Sequence, residues 1–182
     1  MKLTTLSVAL ATVAFASSAF AQTSAQGSGK STSGSPGNPM MPGSMGPVTP
    51  KSGKAFLTLK GSGPLGYECK NTDGKFAWAG PVPNAKLSDK GKDVGKYVAG
   101  PTWELADGSK VTGKQVATSP GAAGSIPLQL VDASGGTGQF AGVTNIQRIN
   151  TSGGVAPGDA CGASNVGTKK DVMYSADYVF FK

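Results

Sequence analysis

Residues 173–181 read Met-Tyr-Ser-Ala-Asp-Tyr-Val-Phe-Phe. Tyr174, Ala176, Tyr178 and Phe180 fall on one face at a period of two, the alternation of a strand with one side buried. Working back along the chain, Asp107-Gly108 stands between the strand-like segments 102–105 and 111–116, a two-residue hairpin signal. Short apolar segments of similar length recur at 56–59, 65–70, 76–78, 96–99, 111–118, 126–133 and 140–150. Turn clusters separate them, notably Gly61-Ser62-Gly63-Pro64 and Asn71-Thr72-Asp73-Gly74. With 28 Gly and 12 Pro in 182 residues, and no window that keeps a helical period, the pattern predicts an all-β fold. The expected architecture is a single antiparallel β-sandwich or barrel with long loops and one disulfide.

The first residues carry a different message. Met1-Lys2 gives a short positive start, residues 3–16 are apolar or small and uncharged, and Ala19-Phe20-Ala21 supplies a small-x-small cleavage pattern. This order predicts a secretory signal peptide over residues 1–21, cleaved after Ala21. The run is too short and too often interrupted by Thr and Ser to span a bilayer, and no later stretch is long enough. The mature chain is therefore expected to be soluble, in the periplasm or outside the cell, with no transmembrane segment. Residues 22–54 are rich in Gly, Ser, Pro and Met and contain no aromatic side chain, which predicts a disordered linker before a β-rich domain over 55–182.

Export frames the two cysteines. An even pair in an oxidising compartment reads as a disulfide, Cys69 with Cys161. Closing a loop of about 90 residues stabilises by roughly 4–5 kcal/mol in the chain-entropy picture. Histidine is absent, so Cys/His metal ligation and Ser-His-Asp catalysis are excluded. Met40, Met41 and Met45 are soft enough for Cu(I), but three thioethers alone make a weak site, and neither metal nor cofactor is expected. The net charge of +7 is spread as single lysines or pairs, without the dense basic run of a nucleic-acid binder. Gly61-Ser62-Gly63-Pro64-Leu65-Gly66 matches the dinucleotide fingerprint, yet a strand-like segment follows where a helix is required, so the match is a turn.

Polar and aromatic residues at strand ends supply the candidate site. Trp103, Glu104 and Lys110 lie in or beside the Asp107-Gly108 hairpin; Gln147, Arg148 and Asn150 end a long strand before a Gly-rich loop. Trp103 and Trp78 are both expected in the core, with sugar stacking as the alternative. Glu104 and Asp107 could offer the two carboxylates of a glycan hydrolase, although Asp107 has a sufficient role in the turn.

Several blocks in order carry a resemblance: Leu65-Gly66-Tyr67-Glu68-Cys69, Ala99-Gly100-Pro101-Thr102-Trp103-Glu104, Asp107-Gly108-Ser109-Lys110-Val111, Ile146-Gln147-Arg148, Gly153-Gly154-Val155-Ala156-Pro157, and Ser175-Ala176-Asp177-Tyr178. Together they resemble DUF3455, a family of exported bacterial and fungal proteins of unknown function, over about residues 55–181. The resemblance implies export, one domain and the cysteine pair, and no reaction. In the family's pattern a histidine often stands where this chain has Tyr97, and a tryptophan where it has Leu128; position 97 is expected to be structural. The malate dehydrogenase label that some relatives carry does not transfer, because nothing in this chain would bind nicotinamide. The function expected is a non-enzymatic binding or structural module, with a polysaccharide or another anionic envelope component as partner. A carboxylate-dependent glycan hydrolase is the alternative.

Overall fold

Eight antiparallel strands follow one another around a closed barrel in the order in which they occur in the sequence. They are β1 (Ala55–Thr72), β2 (Lys75–Asp89), β3 (Lys92–Val98), β4 (Thr102–Leu105), β5 (Lys110–Ser119), β6 (Leu128–Ser134), β7 (Asn145–Gly153) and β8 (Lys169–Phe181). The ring closes where β8 pairs with β1, in register from Leu57↔Phe180 to Glu68↔Lys169. Of the two all-β architectures expected, the chain adopts the barrel. The computed structural model describes residues 46–182, among which the only helical pieces are three-residue 3-10 turns. No helix among these residues is long and apolar enough to cross a membrane. The expected signal peptide, the three clustered methionines and linker residues 22–45 lie outside the described residues.

The turns follow their residues. Asp73-Gly74 and Lys90-Gly91 both place two successive residues at positive φ, the conformation that lets a two-residue turn match the twist of its strands. In the β4–β5 turn, the Asp107 carboxylate accepts the Ser109 backbone N–H at 2.8 Å, and Gly108 takes φ 85°.

The Gly61–Pro64 cluster is not a turn. β1 runs through it with an unchanged register to β2, Ser62↔Lys86 before and Leu65↔Pro83 after. Gly61 faces the barrel interior, and a Cβ there would collide with the Tyr178 ring on the neighbouring strand. Glycine in this strand makes room for an aromatic side chain, a reason that local sequence does not show.

Inside, alternation works as the terminal strand predicts: Tyr174, Ala176, Tyr178 and Phe180 are all buried. At mid-height Trp103 is fully buried, stacked on Tyr97 at 4.7 Å and edge-on to Tyr178 at 5.6 Å. Trp78 is at the margin of this core, partly buried and packed against it. It lies on β2 near the β1–β2 turn, where its indole N–H donates to the Asp159 carbonyl at 2.8 Å. One end of the barrel is closed by the 3-10 turn Gly138–Phe140, whose Phe140 ring stacks on Phe180 at 4.7 Å.

Part of the stretch expected to be linker is folded. The 3-10 turn Gly46–Val48 packs on β5 and β6, Val48 is fully buried, and its carbonyl accepts the Gln147 side-chain amide at 2.8 Å. Lys54 then pairs backbone to backbone with Lys182. A low-complexity composition hid one apolar anchor and a ready acceptor for a buried amide.

Cys69 and Cys161 form the disulfide. It ties the inward face of β1 to the long connection between β7 and β8. The same connection is held by the Trp78–Asp159 bond and by Lys170, whose ammonium meets the Asp159 carboxylate at 2.6 Å.

Candidate functional site

The end opposite Phe140 is open. Between the strand ends lies a cavity of about 650 Å³, within the range of small-molecule sites. Leu65, Pro83, Pro101 and Ile126 form much of its wall, and Val155 and Ala156, from the loop tethered by the disulfide, form one edge. The prolines make that wall stiff, since each ring fixes its own backbone torsion.

Polar groups enter from adjacent strands. Gln129 on β6 and Arg148 on β7 are direct cross-strand partners, and Arg148 is opposite Tyr178 on β8. The Arg148 guanidinium donates from Nε and Nη2 to the Pro127 carbonyl, at 3.2 and 2.9 Å. No carboxylate pairs with it among the described residues. Gln129 is 7% exposed; its amide nitrogen donates to the Gln115 side-chain oxygen, while its own carbonyl oxygen is buried without a partner. A buried acceptor left unmatched costs on the order of 1–3 kcal/mol, so its presence beside an open cavity is a clue to use.

Tyr67 and Tyr97 complete the lining. The Tyr67 hydroxyl donates to the Gly154 carbonyl at 2.7 Å, and below the cavity Tyr174 and Tyr178 share a hydrogen bond of 2.9 Å. Burial raises all four phenols above the ordinary tyrosine value, Tyr174 to about 12, while the positive charge of Arg148 pulls in the opposite direction on each. At neutral pH they are uncharged donors and acceptors, and Arg148 is the one charged side chain in the lining.

The six residues singled out from the sequence do not form one site. Trp103 and Arg148 point into the barrel, Trp103 beneath Tyr97 and Arg148 in the cavity wall. Glu104 is on the outer wall, 3.6 Å from the Lys96 ammonium. Lys110 is exposed at the start of β5, and Asn150 is exposed at a bulge with φ 51°, bonded to Asp177 at 2.7 Å. Gln147 is buried on the outside of β7 beneath Val48. Asp107 is committed to structure: its carboxylate accepts from the Gln139 side chain and from Ser109, and these bonds hold it below the usual aspartate value.

Sequence reasoning left out Tyr67, Tyr97, Gln115 and Gln129. Position 97, expected to be structural, does stack in the core, and it also faces the cavity. A family model described as a protein of unknown function, DUF3455, matches residues 50–182. The chain belongs to the DUF3455 family. No curated protein and no solved structure matches it. For this DUF3455 chain, the site must therefore be read from its own geometry.

Proposed function

We propose that this DUF3455 protein is an exported, non-enzymatic binding module that takes a small ligand, or the end of a longer one, into the open mouth of its barrel. The observation that carries this is the buried Gln129 carbonyl oxygen, unpartnered at the edge of a 650 Å³ cavity beside an unpaired arginine. Eight-stranded barrels either fill their interior or hold one small ligand, and this barrel fills one end and leaves the other open. Export rests on residues 1–21 and on the disulfide, a bond that persists in oxidising compartments. A saccharide remains a reasonable ligand, but the cavity has a floor at Tyr97, which favours a chain end over the middle of a polysaccharide.

The hydrolase alternative has less behind it. Glu104 is paired with a lysine on the outer wall, and Asp107 is held acidic by its bonds from Gln139 and Ser109, whereas a general acid needs a raised value.

Isotope-labelled protein titrated with a panel of small acids, sugars and apolar molecules tests the placement. Chemical-shift changes should cluster on Tyr97, Gln129 and Arg148. Changes confined to Lys96, Glu104 and Lys110 would return the site to the outer wall and overturn the proposal.

A further inference from the structure

Resting on the mouth as the binding site, we infer that its ligand is an amphipathic monoanion: an acidic head on Arg148, a hydrogen-bond donor beside that head for Gln129, and an apolar body along the proline wall. Charge is the first argument. Among the residues lining the cavity, Arg148 is the one ionised group; there is no Asp, Glu or Lys. The tyrosines stay neutral because burial raises them, so they add no second charge. One cation offsets one negative charge and leaves a dianion half unmatched; a cationic ligand would meet repulsion with nothing to offset it.

Geometry is the second argument. A guanidinium has five N–H donors, and the Pro127 carbonyl takes two of those on Arg148, from Nε and Nη2. That clamp fixes the plane of the group and leaves the Nη1 side to meet a carboxylate or sulfonate through charge-assisted bonds. Gln129, whose carbonyl oxygen is unsatisfied, and Arg148 are cross-strand partners that line the same cavity. An acid carrying a hydroxyl or N–H near its head would satisfy both groups at once. The rest of the cavity asks for hydrocarbon: Leu65, Pro83, Pro101 and Ile126 present no side-chain polar atom.

Two dyes of one shape test this on the oxidised full chain. 1-Anilinonaphthalene-8-sulfonate carries an N–H beside its sulfonate, and N-phenyl-1-naphthylamine is the same body without the acid. The sulfonate should bind about tenfold more tightly, and Arg148→Gln should remove that advantage while changing the neutral dye less than about twofold. Lys110→Gln, on the outer wall, should change neither. Equal binding of the two dyes, unaltered by Arg148→Gln, overturns the anion reading while the mouth stands. Should Ala99→Phe, which narrows the mouth, leave both dyes bound as before, the binding-site reading itself fails. If Arg148→Gln does not fold, as judged by near-ultraviolet circular dichroism, the unaltered protein decides. Displacement of the sulfonate dye by octanoate and not by octanol supports the inference, and equal displacement by both sinks it.

Discussion

At the closed end of the barrel the Phe140 ring stacks on Phe180, and the turn that carries it is tied to the β4–β5 hairpin. The Gln139 backbone N–H donates to the buried Ser109 hydroxyl at 2.9 Å and the Gln139 side chain to Asp107 at 2.7 Å. At the open end the Tyr67 and Tyr97 rings line the cavity together with a cation and a half-satisfied glutamine amide. The strands are common to both ends. What separates them is one three-residue turn whose aromatic side chain folds inward, against a loop that stays on the rim. At the closed end Gln139 bonds to the β4–β5 hairpin through both its backbone and its side chain; at the open end Arg148 and Gln129 line the cavity with part of their bonding capacity unused. A barrel interior can thus be packed at one end and open at the other without any second domain.

The comparison can be broken most forcefully at the plug. Phe140→Ala removes a fully buried ring stacked on Phe180 and should lower stability by about 3–5 kcal/mol in urea unfolding. Binding at the mouth should persist in whatever fraction stays folded. A loss below about 1 kcal/mol would mean that the turn closes nothing.

Alkaline pH probes the other half. A phenol raised on folding keeps its proton while the unfolded chain ionises, so its contribution is intact below pH 10 and is lost as pH climbs through the folded value, about 12 for Tyr174. Each such phenol weakens the fold by roughly 1.4 kcal/mol per pH unit over that window. Urea midpoints at pH 9 and 11.5 should show the decline, and Tyr174→Phe should make it shallower; an identical slope in the variant would remove Tyr174 from the buried set.

A smaller effect is expected at the lock on the plug. Asp107 is acidified by its bonds from Gln139 and Ser109, so its contribution is present above the ordinary aspartate value and fades as pH falls through its lower folded value. Asp107→Asn should lower the melting temperature at pH 7, and the gap should close in acid. A gap independent of pH would point to something other than the carboxylate.

Smallest of all, Gln129→Leu should leave stability unchanged or raise it by up to about 1 kcal/mol, because it removes an unmatched buried acceptor. Clear destabilisation by this change would show that Gln129 serves the fold and would count against the proposed binding site.

The strands were legible because each depends on near neighbours. The alternation of residues 173–181 and the Asp107-Gly108 turn predicted local structure that the fold adopts, and the cysteine pair needed only the compartment. Closure was not legible. Whether strands make a sandwich or a ring depends on β1 meeting β8, more than a hundred positions away, and on Gly61 clearing space for Tyr178. The candidate site failed on parity. Trp103-Glu104 and Gln147-Arg148 are consecutive residues on strands, so one of each pair faces inward and the other outward; no single site could use all four. Tyr67, Tyr97 and Gln129 were overlooked for the converse reason. Each lies on an inward face, which reads as core until ring closure shows which levels of the interior are filled and which are open.

The Cys69–Cys161 bond entered as a staple for a small domain, and its position gives it a second consequence. It joins β1 to the loop whose Val155 and Ala156 form an edge of the mouth. The strand ladders do not pass through sulfur, so reduction would spare the ring of strands and remove one tie on that edge, leaving the Tyr67–Gly154 and Trp78–Asp159 bonds and the Lys170–Asp159 pair. The redox state of one bond thus reaches the edge of the open end: oxidation adds a covalent tie there that the strand ladders do not supply.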